Sequence, residues 1–167
     1  MDYCLKEIIS VVGIIITASI TIWQYKQVRF AETVIGARKE YLQKFRDYSC
    51  QFCISTERLM KAANDNNEEK RSQLDSAYKL RLMLNPFDYV GCWDGEIIKL
   101  INCLIQHPNE KELKRLTALL QASCILEWRG ITKEGIKGIL KNKSKEHLRD
   151  ETYDRYVTYC KNRNLYE

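Results

Sequence analysis

Residues 8–25 read IISVVGIIITASITIWQY and carry no charged side chain. Glu7 precedes the run and Lys26 follows it, which leaves 18 consecutive uncharged residues. A helix of that length rises about 27 Å, close to the ~30 Å hydrocarbon thickness of a bilayer. Trp23 and Tyr25 stand near one end, where amphipathic rings favour the headgroup region. The stretch therefore predicts a single-pass transmembrane helix.

Two other kinds of segment share an apolar N-terminal run: a cleaved signal peptide and a buried core helix. A signal peptide needs a basic n-region and a small-residue cleavage site. Here the first seven residues hold Asp2, Lys6 and Glu7, and no A-x-A pattern follows. A soluble domain seldom begins with so dense a run of Ile and Val. The transmembrane interpretation is therefore favoured.

The charges on either side of the run predict its orientation. Residues 26–46 carry six basic and two acidic side chains, whereas the segment before the run carries a single lysine. Basic flanks stay in the cytoplasm, so we expect the N-terminus outside and the chain after residue 25 inside. Seven cysteines, an odd number spread from Cys4 to Cys160, agree with reduced thiols in a cytosol.

One side of the apolar run is polar. Small or hydrogen-bonding residues recur at spacings of 3, 4, 4 and 3, namely Ser10, Gly13, Thr17, Thr21 and Gln24. At about 100° per residue they fall within an arc of about 80°. Such a stripe is typical of helix–helix contacts in lipid, and with enough copies it can line a watered lumen. Alternatively, the hydroxyls satisfy their own i−4 carbonyls and carry no function.

The remaining sequence is typical of an all-α protein. It has only 7 Gly and 2 Pro and shows no strand-like alternation. With 45% apolar and 29% charged residues the chain is not disordered, and a net charge of +5 is too small to indicate a nucleic-acid partner. We expect three parts: a transmembrane helix with its flanks over 1–28, a cytoplasmic bundle of four to five helices over 29–142, and a basic C-terminal helix over 143–167.

Apolar spacing predicts which side chains of the bundle helices are buried. The first helix continues the membrane helix and presents the seam Tyr41, Phe45, Tyr48, Phe52 and Leu59. The second, over 69–84, is expected to bury Leu74, Ala77, Tyr78 and Leu82. The third ends at Gln106 and is expected to bury Ile97, Ile98, Ile101, Leu104 and Ile105. The fourth is expected to bury Leu113, Leu116, Leu119, Leu120 and Ile125.

Capping and breaking residues predict where these helices begin and weaken. Asp94 is the predicted N-cap of the third helix. Asn109 and Glu112 form a capping-box variant at the start of the fourth. Gly130, Gly135 and Gly138 predict that the helix is weak after Trp128, because glycine is a poor helix former.

Motifs for catalysis or metal binding are few. Cys50 and Cys53 form a C-x-x-C pair, a spacing that can supply half of a zinc site when it lies on a helix. No second tight pair supplies the other ligands, so buried apolar thiols are the favoured interpretation. The sequence has no Gly-rich phosphate loop, nucleophile elbow or H-E-x-x-H motif. No metal and no cofactor are predicted.

The segment Asn102-Cys103-Leu104-Ile105-Gln106-His107 places an amide side chain shortly before one of the two histidines. With its single membrane helix and its all-α cytoplasmic part, this short chain resembles the small membrane-anchored accessory proteins of type VI-B CRISPR systems, which carry a divergent HEPN domain. The HEPN pattern is an Arg, four to six further residues and a His. The resemblance implies a HEPN-like bundle, a bacterial inner-membrane location and action beside an RNA-guided effector in antiviral defence.

In HEPN ribonucleases the Arg orients phosphate and the His acts near the 2′-oxygen, so the resemblance would assign these roles to Asn102 and His107. Asn cannot make the cationic, bidentate phosphate contact of Arg, which argues against RNA cleavage. The segment from Lys141 to His147 is a weaker fit to the same pattern.

The sequence thus favours a non-enzymatic membrane effector. Its cytoplasmic bundles would assemble into a homo-oligomer that gathers the membrane helices by their polar stripe and perturbs or perforates the bilayer. Its expected partners are the lipid bilayer and further copies of itself, with the RNA-guided effector or RNA as additional partners. A membrane-tethered ribonuclease that uses Asn102 and His107 is one alternative. A monomeric anchored adaptor is the other.

Overall fold

The computed structural model describes residues 2–62, 67–85, 93–137 and 140–165. Within these ranges the backbone is helical apart from short turns and contains no strand. In chain order the elements are α1 (Asp2–Phe30), the π segment (Ala31–Ile35), α2 (Gly36–Lys61), α3 (Asn67–Leu82), α4 (Trp93–Gln106), α5 (Glu110–Lys137) and α6 (Asn142–Asn162). The prediction of an all-α fold is confirmed.

The N-terminal part of the chain is one unbroken helical rod. Helix α1 passes through the π segment into α2 without a turn, so helical backbone extends from Asp2 to Lys61. Within α1 the stretch Glu7–Lys26 is 20 residues long, has a mean hydropathy of 1.8 and is not buried at all. A core helix would be mostly buried. By length and composition, this stretch is able to cross a membrane.

Helices α2 to α6 pack around one apolar core, to which each of them contributes. Its fully buried apolar side chains include Phe52, Leu80, Ile97, Ile101, Leu104, Leu116, Leu119 and Cys160. Burying a side chain of Leu, Ile or Phe contributes about 1.5–3 kcal/mol to folding. The five helices after the π segment therefore form one bundle.

The predicted core side of α4 is confirmed. Ile97, Ile101 and Leu104 are fully buried, and the partly buried Ile98 and Ile105 pack against the core. Helix α4 also ends at Gln106, as predicted. The interpretation of Asp94 as its N-cap is wrong: the helix already includes Trp93, and Asp94 Oδ2 accepts a hydrogen bond from the Asn85 backbone N–H at 2.8 Å.

The predicted core side of α3 is largely wrong. Ala77 is buried, but Leu74, Tyr78 and Leu82 are exposed. The buried side chains are instead Gln73, Ser76, Ala77 and Leu80. Gln73 Nε2 donates to Thr56 Oγ1 at 2.9 Å and to the Leu104 carbonyl at 3.3 Å. A buried amide is tolerated once it is hydrogen-bonded, so a polar residue occupies the place that apolar spacing assigned to leucine.

Helix α5 departs from prediction in two places. Leu116, Leu119 and Leu120 are buried as expected, but Ile125 is exposed. The helix also continues through Gly130 and Gly135 to Lys137 instead of weakening after Trp128, and Gly138 lies outside the described residues. Its predicted start is supported, because Asn109 Oδ1 accepts from the Glu112 backbone N–H at 2.8 Å, as an N-cap does.

The C-terminal helix α6 packs into the bundle. Leu148, Thr152, Tyr156 and Cys160 form its buried side. The rings of Trp93 and Tyr156 lie 6.3 Å apart between centroids. The Tyr156 hydroxyl also donates a hydrogen bond to Glu96 Oε1 at 3.2 Å, and the same oxygen accepts a second hydrogen bond from Arg115 at 2.8 Å. These contacts join α6 to α4 and α5.

The core of α4 generates a direct test of the fold. Ile101→Ala should lower the free energy of unfolding by about 2–5 kcal/mol, because it opens a cavity at a fully buried side chain. Asn102→Ala, at the adjacent exposed position, should change it by less than about 0.5 kcal/mol. Thermal unfolding of the detergent-solubilised full chain, followed by circular dichroism, measures both. Equal effects of the two substitutions would contradict this packing.

Candidate self-association site in the apolar helix

The predicted polar stripe lies along a shallow groove on α1. The groove is lined by Ser10, Gly13, Ile14, Thr17, Ala18, Thr21 and Ile22. All of these residues are exposed. Gln24 is exposed too, on the same side of the helix but beyond the groove. The structure therefore brings four of the five predicted residues into one concave surface.

Gly13 leaves a gap in this surface. A Cβ atom built on it would meet no heavy atom within 4 Å, so no contact within the described chain requires a glycine. A glycine inside a helix costs about 1 kcal/mol relative to alanine. In lipid, such a gap lets a second helix approach closely enough for extensive van der Waals contact. The residue fits a contact with another molecule better than it fits the stability of α1 alone.

The hydroxyl protons of the stripe are used locally. Thr17 Oγ1 donates to the Gly13 carbonyl at 2.9 Å, and Thr21 Oγ1 donates to the Thr17 carbonyl at 2.9 Å. Ser19, on the other side of α1, makes the same kind of bond to the Ile15 carbonyl at 2.8 Å. These bonds leave the hydroxyl oxygens as acceptors only. What distinguishes the stripe is therefore its small side chains and the groove rather than its hydrogen bonds.

Amphipathic side chains follow the groove toward the bundle. Trp23 and Tyr25 are exposed, and Arg29 Nε donates to the Tyr25 hydroxyl at 2.9 Å. The Arg29 guanidinium also lies 5.4 Å from the centre of the Tyr25 ring, within cation–π distance. This combination of aromatic rings and a cation is typical of the boundary between hydrocarbon and headgroups.

A group of charged residues ties the base of the rod to the bundle. We call it the Arg38 cluster: Arg38 of α2, Glu127 and Glu134 of α5, and Lys145 of α6. Arg38 binds Glu127 at 2.7 Å and binds Glu134 with its other terminal nitrogen. Lys145 lies 3.4 Å from Glu134. Three helices are thus joined within a few residues of the π segment.

The electrostatics of the Arg38 cluster favour the charged state of the arginine. Burial by itself lowers the pKa of the Arg38 guanidinium, but hydrogen bonds and charges from Glu127 and Glu134 outweigh it and raise that pKa above its usual value. Glu134 is only 3% exposed, and a buried carboxylate that loses its partner costs several kcal/mol. Arg38 therefore holds α5 against the rod whenever the chain is folded.

Gly130 of α5 makes room for the Arg38 contact, whereas Gly135 lies at an ordinary distance from its neighbour. A Cβ on Gly130 would lie 3.3 Å from an Arg38 nitrogen, and a Cβ on Gly135 would lie 3.6 Å from Ile35 Cδ1. Ile35, Leu42 and Ile131 form a small apolar cluster beside them. No motif or spacing in the sequence predicted the Arg38 cluster. Two glycines in an otherwise helix-forming segment were its visible signal, because they indicate close approach of another element.

The proposed ribonuclease residues lie on α4 and just after it. Asn102 and His107 are both exposed, and neither side chain is hydrogen-bonded to the other within the part of the chain that the structure describes. Five residues along a helix correspond to a rotation of about 140°. On a regular helix the two side chains would therefore point in different directions, and their role in RNA cleavage stays a prediction.

The C-x-x-C pair lies in the middle of α2. Cys50 is exposed, whereas Cys53 is half-buried, with its sulfur 3.7 Å from Thr117 Oγ1. Burial raises the pKa of the Cys53 thiol. Among the described residues no group of three or more His, Cys, Asp or Glu side chains could hold a metal ion. The two cysteines are free thiols in different environments.

Comparison with known proteins gives no family assignment. No protein-family model, no curated protein and no solved structure matches this chain. Its function is therefore inferred from the groove on α1, the Arg38 cluster and the surface of the bundle.

The glycine contacts of α5 predict opposite effects for two substitutions. Gly135→Ala should raise the free energy of unfolding by about 0.5–1 kcal/mol, because it improves helix propensity and meets Ile35 at an ordinary distance. Gly130→Leu should lower it by about 1–3 kcal/mol, because the side chain displaces the Arg38 guanidinium. Thermal unfolding of the full chain compares them, and a stabilising Gly130→Leu would refute the close approach.

The two thiols of α2 should differ in reactivity. Maleimide should label Cys50 about tenfold or more faster than Cys53 at neutral pH, because the thiolate is the reactive form and burial disfavours it at Cys53. Labelling of Cys53 should rise only at a pH above the range in which an ordinary thiol ionises. Peptide mass spectrometry after timed labelling measures both rates. Equal rates in the folded chain would show that Cys53 is not buried.

Proposed function

We propose that this protein is a membrane-anchored, homo-oligomeric effector whose copies join through the groove on α1 and perforate the bilayer. The observation that carries the proposal is a groove of small residues on an apolar helix that the rest of the described chain leaves uncovered. Helix α1 crosses the membrane with the N-terminus outside, and the bundle of α2 to α6 lies in the cytoplasm of a bacterial cell.

Solvation of α1 supports the membrane location. Large apolar side chains cover the stretch Glu7–Lys26, and all of them are exposed. Exposed apolar surface costs about 25 cal/mol per Å² in water, and lipid tails remove that cost. An α-helix satisfies its own backbone hydrogen bonds, so it can enter the hydrocarbon without unpaired polar groups. Trp23, Tyr25 and Arg29 then lie at the cytoplasmic boundary.

Packing within the membrane supports self-association. Lipid is as apolar as isoleucine, so helices associate there through close packing and hydrogen bonds rather than through the hydrophobic effect. Gly13, Thr17 and Thr21 provide small surfaces, and the two hydroxyl oxygens remain free to accept hydrogen bonds. The described part of the chain contains one helix able to cross a membrane, so the partner proposed for this groove is another copy. Several copies arranged as a ring would turn the polar stripe toward a watered lumen.

The rigid connection between α1 and the bundle supports a role for the bundle in assembly. Unbroken helix and the Arg38 cluster link the membrane helix to α5 and α6. Contacts between bundles would therefore orient the membrane helices that they carry. The architectural resemblance noted from the sequence supports a HEPN-like bundle that strengthens RNA-guided CRISPR defence beside its RNA-targeting effector.

Two threonines of the groove test the proposal against a matched control. Thr17→Leu with Thr21→Leu should fill the groove, convert the oligomer to smaller species and reduce ion leak from reconstituted vesicles about tenfold or more. Ser19→Leu is the control, because it also removes a hydroxyl bonded to the i−4 carbonyl, but on the other side of α1. Native mass in detergent and vesicle leak are the two measurements.

The outcomes separate the alternatives. A wild-type particle whose protein mass, after subtraction of the bound detergent, is about 20 kDa would be a single protomer. That result would refute self-association and favour the anchored adaptor. An unchanged leak after both threonines are replaced would exclude this stripe as the lumen or seam. A wild-type chain that stays dissolved without detergent would refute the membrane location itself.

A further inference from the structure

Helix α5 returns along α2 toward the membrane helix. Near its start, Thr117 lies beside Cys53, and near its end a Cβ on Gly135 would lie 3.6 Å from Ile35 in the π segment. Helix α6 then starts at Asn142 and leads away again, with Lys145 still bound to Glu134. The end of α5 and the start of α6 therefore lie at the end of the bundle next to α1.

The distance from these two helix ends to a bilayer is short. Ile35 lies nine positions after Lys26, so along a helix it is about 13 Å beyond a hydrocarbon edge at Lys26. The headgroup layer occupies about 5–8 Å of that rise. The remaining gap of about 7 Å is within the ~8 Å Debye length at physiological ionic strength. Charges at the end of α5 and the start of α6 therefore act directly on headgroups.

Three exposed side chains at the end of α5 and the start of α6 are lysines. We call Lys133, Ile136, Lys141 and Lys143 the lysine corner. All four are exposed, and the three lysines form no ion pair with any residue in the described ranges. The acidic residue next to Lys133, Glu134, is buried and already bound by Arg38 and Lys145, whereas Glu146 of α6 is exposed. Three lysines against one exposed glutamate leave an excess of positive charge at this end of the bundle.

The corner also presents an apolar residue. Ile136 is 80% exposed. In water, so exposed a side chain contributes no burial energy to the stability of the fold. Basic residues around an exposed large apolar side chain are typical of surfaces that lie in the headgroup region, where the cations meet phosphate and the apolar group reaches the acyl boundary. RNA offers the same negative charge but no apolar phase for Ile136. The combination favours lipid.

We propose that the lysine corner docks on anionic phospholipid headgroups of the leaflet at the cytoplasmic end of α1. The proposal rests on the membrane insertion of α1 proposed above and deepens it by naming the lipid class. Docking fixes the tilt of the bundle relative to the bilayer, because the Arg38 cluster already fixes α5 to the rod. The orientation in which copies meet would then depend on the lipid composition of the membrane.

Lysine footprinting of the full chain tests this docking. The chain is reconstituted in vesicles of phosphatidylcholine, with or without one third phosphatidylglycerol, and acetylated with an N-hydroxysuccinimide ester. Acetylation of Lys133, Lys141 and Lys143 should be about tenfold slower with phosphatidylglycerol, and about 1 M salt should abolish the difference. Lys99 and Lys161, exposed elsewhere on the bundle, should react equally in both vesicles.

Two isoleucines of α5 provide a matched pair of variants. Ile136→Ser should weaken the protection of the three lysines severalfold. Ile125→Ser removes an equally large exposed side chain from the same helix, 11 residues farther from the corner, and should leave the protection unchanged. An equal effect of both variants would overturn the role of Ile136 at the bilayer surface.

Three other results would each contradict a different part of the proposals. Insertion into both vesicles without any lipid-dependent protection would overturn the docking and leave the membrane anchor standing. Protection by single-stranded RNA in phosphatidylcholine vesicles, with none from phosphatidylglycerol, would overturn it in favour of a nucleic-acid site. Failure to float with either vesicle would refute the insertion on which both proposals depend.

Discussion

The apolar surface of α1 imposes the main constraint on this protein, because the rest of the described chain covers none of the stretch Glu7–Lys26. A soluble protein of this size would fold its apolar helices against one another, and α2 to α6 do so. Helix α1 has no such contact. Its solvation must therefore come from outside the chain, and lipid tails together with other copies of α1 meet that requirement. The proposed location and the proposed assembly follow from the same uncovered surface.

The Arg38 cluster joins the bundle to the base of the helical rod that carries this apolar surface. Without the Arg38 cluster, apolar contacts such as those of Ile35, Leu42 and Ile131 alone would hold α5 against the rod near the π segment. Arg38, Glu134 and Lys145 instead connect α2, α5 and α6 immediately after that segment. Since Glu134 is buried, the connection is costly to break. The cluster therefore fixes the base of the bundle where the rod enters it, and α1 continues from there through the π segment.

Sequence periodicity predicted only the part of the candidate site that lies within one helix. Periodicity alone placed Ser10, Gly13, Thr17 and Thr21 on one side of α1, because all four belong to one helix. The Arg38 cluster could not be found in this way, since Arg38 and Glu134 are 96 residues apart and nothing in their spacing relates them. The assignment to a HEPN-like defence module, and the roles of Asn102 and His107, stay predictions.

By itself, the sequence determined that the chain is helical, that its N-terminal helix is uncharged over a membrane's thickness, and that α4 buries Ile97, Ile101 and Leu104. Each of these follows from helix periodicity and composition, which act over a few turns. Only the tertiary structure decided that α3 buries Gln73 rather than Leu74, because the partners of that amide come from α2 and α4. It also decided that α5 continues through its glycines, since the contacts that compensate for their poor helix propensity belong to the rod, far away in sequence.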